Sequence, residues 1–305
     1  MAMALTVDEA IARVPQWADA DTLKVSSLDG GITNSNFRID VDGESFALRI
    51  AGTGTDKLGI DREHEYAANL AAGKLGIAPE VVHVIQPEGY LVTRFIDARP
   101  FPAEEITQPD NIRRVIELVR QIHSMPEIPG EFSAFRTVEN YAETARKYNV
   151  ELPENFDFLM ERSHEAENAI NIASEHLRPC HNDLLNANFL INDKQIYILD
   201  WEYAGMGDIF FDLANFSTNH ELSEEQDHWE LECYFEEVTE RQIAHLNIMK
   251  VMSLFREAMW GMVQIGISEL DFDYREYANK FFLRVFDTIN DPRWDHWIKE
   301  MKKNG

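Results

Sequence analysis

The sequence predicts an α+β fold, in which a small β-rich part precedes a larger, mostly helical part. Three observations support this prediction. Alternating apolar and polar residues fill two stretches around the turn signal Asp42-Gly43, which is the pattern of a β-hairpin. After about residue 97 the apolar residues recur instead with a helical period. The chain has 305 residues, about twice the usual size of one domain, and we expect two lobes, 1–96 and 97–305.

The β-rich part begins with a short helix. Thr6 and Glu9 have the spacing of a capping box, and Pro15 ends the helical pattern. The loop 29–36, which precedes the hairpin, is rich in residues that tolerate unusual backbone angles. The remaining pattern predicts strands over 23–28, 37–41, 45–50, 81–85 and 90–96, and a helix over 61–75.

The helical part contains six segments with helical periodicity and one short strand pair. The helices are predicted over 111–123, 141–148, 158–177, 223–235, 240–266 and 274–289. The strand pair is predicted over 189–191 and 196–199. Together these segments predict a small antiparallel sheet in the first lobe and mostly helices in the second.

Composition and charge exclude several classes of protein. Hydrophobic residues make up 45% and charged residues 27%, which is typical of a globular chain and not of a disordered one. No apolar run approaches the roughly 20 residues that span a bilayer, and the first residues lack the basic flank of a signal peptide, so we expect a cytoplasmic location and no membrane insertion. The net charge of −26 disfavours nucleic acid. It would favour small cationic partners, and the alternative is that the acidity only keeps the chain in solution. Two cysteines, Cys180 and Cys233, do not make a disulfide framework or a Cys₄ zinc site.

The strongest functional signal is His181-x-Asp183-x-x-x-x-Asn188, followed by the strand pair and Asp200. This is the spacing of a kinase catalytic loop. Phosphoryl transfer needs a carboxylate beside the incoming hydroxyl, and Asp183 fits that role. Mg²⁺ prefers hard oxygen ligands, and Asn188 and Asp200 fit that role. Turn-forming Asn and Asp residues are the alternative reading, but the loop, the strands and Asp200 together indicate a Mg²⁺-dependent kinase.

Two charged residues lie where a protein kinase places its phosphate-positioning pair. Arg49 is in the strand after the hairpin turn, and Glu65 is on the helix that follows. The alternative is a surface arginine and a surface glutamate. An arginine can contact phosphates with its planar fork, although it is not equivalent to a lysine.

The remaining nucleotide contacts are predicted from position alone. The loop that contains Gly30, Gly31 and Asn34 would cover the phosphates, although it lacks the Gly-x-Gly-x-x-Gly pattern. The segment that begins with Arg94 and Phe95 would be the hinge, where adenine bonds to backbone groups.

The chain resembles the choline/ethanolamine kinase branch of the aminoglycoside phosphotransferase-like family, from about Leu28 to Phe286. The matching stretches are Gly30-Gly-Ile-Thr-Asn34, Leu48-Arg-Ile50, Gly76-Ile-Ala-Pro79, Ile122-His-Ser124, His181-Asn-Asp183, Leu199-Asp-Trp-Glu-Tyr203, Phe211-Asp-Leu-Ala-Asn215, Met259-Trp-Gly-Met-Val-Gln264 and Phe272-Asp-Tyr-Arg-Glu-Tyr277. The resemblance implies a two-lobed protein-kinase-like fold that uses ATP and Mg²⁺.

The same resemblance implies roles for individual residues. Asp183 would be the catalytic base, and Asn188 and Asp200 the metal ligands. Arg49 and Glu65 would position the phosphates. An aromatic pocket for a trimethylammonium group is implied at Tyr203, Trp260 and Tyr277. Such a group donates no hydrogen bond and is held by ring faces and carboxylates. Packing between helices is the alternative role for Trp260 and Tyr277.

Two departures from eukaryotic choline kinases bear on the acceptor. Those enzymes have a second tryptophan one helical turn before the position of Trp260, where this chain has Glu257. They also have a glutamate four residues beyond the position of Asn215, where this chain has Asn219. Glu257 and Trp260 are three residues apart and would share a helix face. A carboxylate beside an indole suits a primary ammonium at least as well as a trimethylated one.

The function predicted from sequence is therefore phosphorylation of a small cationic alcohol, choline or ethanolamine. A second reading keeps the fold and changes the acceptor to an aminoglycoside, thiamine, homoserine or methylthioribose. A third is a pseudokinase that binds a nucleotide without catalysis, and the presence of Asp183, Asn188 and Asp200 argues against it. The sequence leaves the oligomeric state open.

Overall fold

A computed structural model of the chain describes residues 5–28, 34–52, 55–171 and 176–303. The fold consists of two compact units. The first unit comprises residues 1–102 and 186–204, and the second comprises residues 103–185 and 205–305.

The first unit contains a five-stranded antiparallel sheet with the strand order β1-β2-β3-β5-β4. Its strands are β1 (Leu23–Leu28), β2 (Asn34–Val41), β3 (Glu44–Ala51), β4 (Val81–Ile85) and β5 (Tyr90–Arg94). The predicted hairpin is β2-β3, and both residues of its turn, Asp42 and Gly43, have positive φ, as a type I′ hairpin turn requires. Apolar side chains on the inner face, among them Ile39, Leu48 and Val92, form a buried core.

Two helices accompany this sheet: α1 (Val7–Ile11) and α2 (Arg62–Lys74). The predicted capping box of Thr6 and Glu9 is present at the start of α1. Ala10, Val14 and Trp17, in and just after α1, belong to the same core as the sheet. This packing explains why so short a helix is stable here, since a helix of this length is marginal in isolation.

The first unit also contains a three-stranded sheet, β6-β8-β9, formed by β6 (Arg99–Pro100), β8 (Phe189–Ile191) and β9 (Ile196–Ile198). Residues 97–102 and 186–204 group with the first unit, although the boundary between the lobes was predicted after residue 96. Backbone hydrogen bonds explain the difference. The Phe101 N–H donates to the Phe189 carbonyl at 3.0 Å, and the Ile198 N–H donates to the Ile77 carbonyl at 2.8 Å.

The second unit is mostly helical. Its helices are α3 (Ala103–Ile106), α4 (Pro109–His123), α5 (Ala134–Lys147), α6 (Phe156–Ile170), α7 (Ile209–Asn219), α8 (Glu224–Phe235), α9 (Glu240–Ile267), α10 (Tyr274–Ile289) and α11 (Arg293–Lys302). Two short strands, β7 (Arg178–Cys180) and β10 (Gly205–Gly207), pair antiparallel. With a small antiparallel sheet and a helical majority, the structure confirms the predicted α+β class.

Helix α9 is the central element of the second unit and packs against α5, α7, α10 and α11. Gly261 sets its approach to α10. A Cβ atom at this position would lie 3.1 Å from side-chain atoms of both Tyr277 and Ala278. The absence of a side chain at Gly261 therefore lets α10 lie close to the face of α9 that also presents Trp260. Within the described ranges, no helix has both the length and the apolar character needed to cross a bilayer.

Candidate active site

Side chains of helix α7 bind the backbone of the segment that follows β7. Asp212 accepts hydrogen bonds from the backbone N–H groups of His181 at 2.8 Å and Asn182 at 2.6 Å. Asn215, three residues further along α7, accepts one from the N–H of Leu184 at 2.5 Å. These bonds fix the backbone on both sides of Asp183, whose carboxylate is therefore presented by a rigid loop.

Asn182 has a φ of +65°, so the loop turns in the left-handed region between His181 and Asp183. Asparagine tolerates this conformation better than most residues do. His181 and Asn182 are fully buried, and Asp183 is 8% exposed.

The carboxylate of Asp212 is itself supported from α4 and α8. Its Oδ2 lies 3.1 Å from Nε2 of His123, and Nδ1 of His123 lies 2.8 Å from the hydroxyl of Tyr234. Burial alone would raise the pKa of Asp212, but the hydrogen bond and charge of His123, with the contribution of His181, bring this pKa below its ordinary value. Asp212 is thus an ionised acceptor, and Nε2 of His123 donates to it.

Cys180 lies beside this pair, and His123, Cys180 and Asp212 place one potential metal-binding atom each within 4.8 Å of one another. Burial raises the pKa of the Cys180 thiol well above its ordinary value, and Asp212 and then Asp208 raise it further. A thiol that resists ionisation is a poor metal ligand. Both oxygens of Asp212 already accept backbone hydrogen bonds. We therefore interpret the cluster as a structural one, in which Asp212 holds the loop.

A buried arginine on α9 contacts the carboxylate of Asp183. Both terminal nitrogens of Arg256 bind Asp183 Oδ1, at 3.1 and 3.2 Å. Nη1 of Arg256 also lies 3.4 Å from Oε2 of Glu257. Arg256 is 2% exposed, so this charge is held in a low-dielectric environment where its pairing is strong.

Glu257 connects this pair to the predicted aromatic pocket. The hydroxyl of Tyr277 donates a hydrogen bond to Oε1 of Glu257. Burial, followed by the charge of Glu257, raises the pKa of Tyr277, so its hydroxyl stays protonated and remains a donor. The rings of Trp260 and Tyr277 meet edge to face, with centroids 5.9 Å apart, and Trp260 makes a similar contact with Tyr274. The second unit thus brings together Asp183, Glu257, Trp260 and Tyr277 of the predicted site.

The two predicted metal ligands lie in the first unit, at one end of the β8-β9 hairpin. The N–H of Leu199 donates to the carbonyl of Asn188 at 2.8 Å, which places the neighbouring Asp200 beside Asn188. Asp200 has a φ of +61°, an uncommon conformation for a residue with a side chain. Such strained positions concentrate at functional sites. An amide oxygen and a carboxylate at one hairpin end are the hard donors that Mg²⁺ prefers, so this donor set fits the ion.

Asp200 also takes part in a network of charges that are buried or partly buried. Arg49 forms ion pairs with Asp200 and with Glu65, whose side chain is fully buried. Arg62, at the start of α2, binds the other oxygen of Glu65 at 2.6 Å and Glu202 at 3.2 Å. Burial, and then the charge of nearby Arg49, lowers the pKa of Arg62. Two guanidinium groups therefore face three carboxylates.

The other predicted nucleotide contacts are spread over the sheet. Asn34, at the start of β2, is buried and accepts a hydrogen bond from the Gly52 N–H at 3.4 Å. Gly30 and Gly31 lie outside the described residues. Arg94 pairs with Phe46 at the far end of β3 from Arg49, about 10 Å away by strand geometry.

Two backbone N–H groups of the predicted hinge already donate hydrogen bonds within the protein. The N–H of Arg94 donates to the Glu80 carbonyl at 2.8 Å, and the N–H of Phe95 donates to the Ser45 carbonyl at 3.0 Å. An adenine that bound here would use other groups of the segment. The side chain of Arg94 is bound to Glu44 at 2.8 Å. Contact of Arg94 and Phe95 with adenine stays a prediction.

Tyr203, the third aromatic residue predicted for the acceptor pocket, is half-buried and belongs to the first unit. Glu257, Trp260 and Tyr277 belong to the second. The role of Tyr203 toward an acceptor therefore stays a prediction.

Three charged residues that bind predicted site residues or their loop were given no role from the sequence: Arg62, Asp212 and Arg256. A signal existed for two of them. Asp212 is a single charge inside an apolar run, and Arg256, with Glu257 beside it, interrupts the apolar pattern of a predicted helix; a buried charge needs a partner. Arg62 follows the N-cap residue Asp61 and has no such signal, because a charge at the start of a helix is usually exposed.

Arg49 provides the first mutational test. We expect Arg49→Ala to lower kcat/KM for the nucleotide by about 10- to 100-fold, the range for losing one or two charged hydrogen bonds. Arg49→Lys should recover only part of this, because an ammonium lacks the planar fork that spans Glu65 and Asp200. Steady-state kinetics at varied nucleotide concentration measure both.

Arg13→Ala is the matched control, since Arg13 forms an exposed ion pair with Glu88. If Arg49→Ala behaves like Arg13→Ala, then Arg49 has only a structural role in the sheet.

Comparison with known proteins gives consistent results. A family model described as choline/ethanolamine kinase matches residues 25–233. LicA of Haemophilus influenzae is 28% identical over 275 residues, which cover 86% of this chain and 79% of LicA. A probable ethanolamine kinase of Arabidopsis thaliana is 24% identical over 312 residues, with coverage of 88% and 80%. The crystal structure of a choline/ethanolamine kinase family protein from Mesorhizobium loti is 29% identical, with a TM-score of 0.82 and 96% of each chain covered.

Proposed function

The chain belongs to the choline/ethanolamine kinase family, and from that premise we propose that it transfers the γ-phosphoryl group of ATP to the hydroxyl of a small cationic alcohol, choline or ethanolamine. The chain is a phosphotransferase that acts on a small alcohol. The identity of the acceptor and the use of ATP and Mg²⁺ are the parts that we propose. The single observation that supports the acceptor proposal is the contact of Arg256 with both Asp183 and Glu257. This contact places the carboxylate proposed for the ammonium group near the carboxylate proposed for the hydroxyl.

A cationic acceptor is supported by the surroundings of Glu257. Its carboxylate is held by Tyr277 and Arg256 and lies on the same helix face as the ring of Trp260. A primary ammonium donates hydrogen bonds to a carboxylate, and an indole face attracts its charge. Ethanolamine offers such an ammonium and a hydroxyl two carbons away. It is therefore the acceptor that this arrangement suits best.

Choline is the second candidate because of the aromatic residues. Trp260 contacts Tyr274 and Tyr277, and clusters of rings bind quaternary ammonium groups through cation–π attraction, worth about 0.5–2 kcal/mol per contact. Glu257 would contribute only its charge to choline, since a trimethylammonium group donates no hydrogen bond. We therefore expect choline to be the weaker acceptor.

On the nucleotide side, Arg49 would bind phosphate oxygens, while Asn188 and Asp200 would hold Mg²⁺. The ion, when bound, neutralises negative charge on the phosphates. Arg62 gives Glu65 a second cationic partner, at 2.6 Å. The Glu65 carboxylate thus keeps a partner when Arg49 contacts a phosphate.

On the acceptor side, Asp183 would orient the hydroxyl and take its proton as the oxygen attacks the γ-phosphorus, while the bond from this phosphorus to the bridging oxygen breaks and ADP leaves. The loop bonds from Asp212 and Asn215 hold the Asp183 backbone still during this step. Arg256 would hold the carboxylate itself in place through Oδ1. Positioning of this kind makes a large contribution to phosphoryl transfer, in which the protein does little covalent chemistry.

The direct test is release of ADP, coupled to a spectrophotometric readout, with ATP, Mg²⁺ and a panel of acceptors. The panel is ethanolamine, choline, thiamine, homoserine, methylthioribose and an aminoglycoside. We expect the highest kcat/KM with ethanolamine, then choline. Preference for any of the other four would overturn the acceptor proposal, and nucleotide binding without transfer to any acceptor would support the pseudokinase reading.

The substitution Glu257→Gln tests the ammonium site. We expect the KM for ethanolamine to rise by about 10- to 100-fold, because a hydrogen bond to a charged group contributes roughly 1.5–3 kcal/mol. The KM for choline should rise less. Glu269→Gln, at an exposed position after α9, is the matched control. Equal changes for both acceptors, or none, would place the ammonium elsewhere.

A further inference from the structure

We propose that Arg256 fixes the spacing between the two ends of the acceptor, so that the enzyme selects amino alcohols with two carbons between nitrogen and oxygen. This inference rests on the proposed amino-alcohol acceptor. It assigns to Arg256 a positioning role for substrate length.

The geometry is that of one guanidinium group between two carboxylates. Nη1 of Arg256 lies 3.1 Å from Oδ1 of Asp183 and 3.4 Å from Oε2 of Glu257. The two carboxylate oxygens therefore cannot be farther apart than these two lengths laid end to end. One carboxylate receives the hydroxyl end of the acceptor, and the other receives its ammonium end. Their separation is set by a residue that touches both.

Arg256, Asp183 and Glu257 each have a further contact that restricts their movement. Arg256 is 2% exposed, within a helix that is buried along most of its length. The loop that carries Asp183 is bonded to Asp212 and Asn215. Glu257 accepts the hydroxyl of Tyr277 from α10. These additional contacts restrict the movement of all three groups, so the spacing between the two carboxylates is restricted as well.

Such a spacing discriminates between acceptors by length. In ethanolamine the nitrogen and oxygen are roughly 3.7 Å apart when extended, from bond lengths of about 1.5 Å. A hydrogen bond of about 2.7–2.9 Å at each end lets this molecule reach both carboxylates. Each further methylene lengthens the molecule while the carboxylates stay in place. A longer amino alcohol must fold back or lose one of its two polar contacts.

The test is a series of acceptors: ethanolamine, 3-amino-1-propanol and 4-amino-1-butanol. In the wild-type enzyme we expect kcat/KM to fall by at least about tenfold with the first added methylene, at the low end of what one methylene contributes to discrimination. Dissociation constants of the three alcohols, measured by calorimetry without nucleotide, should follow the same order. This second measurement does not depend on turnover.

The variant Arg256→Lys keeps the charge and loses the fork, so one ammonium no longer holds two carboxylates at a fixed distance. We expect the ratio of kcat/KM between the first two alcohols to fall below about threefold, whatever the loss in absolute rate. Arg275→Lys, at an exposed position on α10, is the control and should keep the wild-type ratio.

A second variant tests the inference if Arg256→Lys folds poorly. Glu257→Asp withdraws the carboxylate by one methylene and keeps its charge, so 3-amino-1-propanol should become the preferred acceptor.

If both variants keep the wild-type ratio, or if the wild type shows no dependence on length, the inference is overturned while the proposed function stands. If the wild type phosphorylates no amino alcohol, the proposed function is overturned and this inference with it.

Discussion

The substitution Asp183→Asn is expected to lower kcat by about 10²- to 10⁴-fold, the range that a general base contributes. Asparagine has nearly the same shape, so the loop and its bonds to α7 should persist. The amide, however, neither accepts the proton of the hydroxyl nor balances the charge of Arg256, which binds Oδ1 through both terminal nitrogens. The measurements are kcat with saturating acceptor and the dissociation constant of the nucleotide.

Nucleotide affinity should change little, because Asp183 is proposed to act on the hydroxyl of the acceptor and not to bind the phosphates or the metal. Asp193→Asn is the matched control, since Asp193 is exposed in the turn between β8 and β9. Turnover in Asp183→Asn that approached the wild-type value would show that the proton leaves by another route.

The substitution Asp212→Ala is expected to have the largest effect on stability, a loss of about 3–5 kcal/mol, as for removal of one partner from a buried charged network. Two backbone N–H groups, of His181 and Asn182, would lose their acceptor, and His123 would lose its partner. Because the same bonds hold the loop that carries Asp183, the proposed catalytic base, kcat should fall as well. Denaturant unfolding followed by circular dichroism measures the first effect, and steady-state kinetics the second.

The contribution of Asp212 should depend on pH in a defined direction. Its pKa in the folded protein is lowered, whereas an unfolded aspartate has a pKa of about 3.9. A lowered pKa stabilises the fold above the unfolded value, and this stabilisation is lost as pH falls through the folded value. The difference in unfolding free energy between wild type and Asp212→Ala should therefore be constant near neutral pH and shrink in acid below about pH 4.

Asp271→Ala, in the exposed loop before α10, is the control for these measurements and should change stability by less than about 0.5 kcal/mol. If Asp212→Ala destabilised the protein no more than this control does, the loop would be held by other contacts.

The local parts of the candidate site were predictable from sequence. Asp183 and Asn188 are five residues apart in one segment, and a short hairpin returns the chain to Asp200, so their spacing alone identified them as candidates. The hairpin β2-β3 was equally accessible because its turn, Asp42-Gly43, and its alternation are both local signals. In these cases the interacting residues are close in sequence, and each pattern needs no knowledge of the rest of the fold.

The supporting contacts were not predictable, because their partners are far apart in the chain. Arg256 reaches Asp183 across 73 positions, and His123 reaches Asp212 across 89. Helix α7 was missed for a related reason. Almost all of its residues are buried, so it has no polar face and no helical period to detect. Helix α6 ends at Ile170, earlier than its periodicity suggested, because Asn171 adopts a left-handed conformation.

The division of the chain also has a consequence for the order in which the protein can fold during synthesis. The first unit is built from two separated segments, and residues 103–185 lie between them. The ribosome therefore produces the five-stranded sheet before the β8-β9 hairpin, which completes the first unit. Until Ile198 is synthesised, the carbonyl of Ile77 lacks the N–H group that binds it in the folded protein. A nascent chain stopped before residue 186 should expose the segment around Ile77 to proteases and chaperones. One extended past residue 204 and clear of the exit tunnel should protect it.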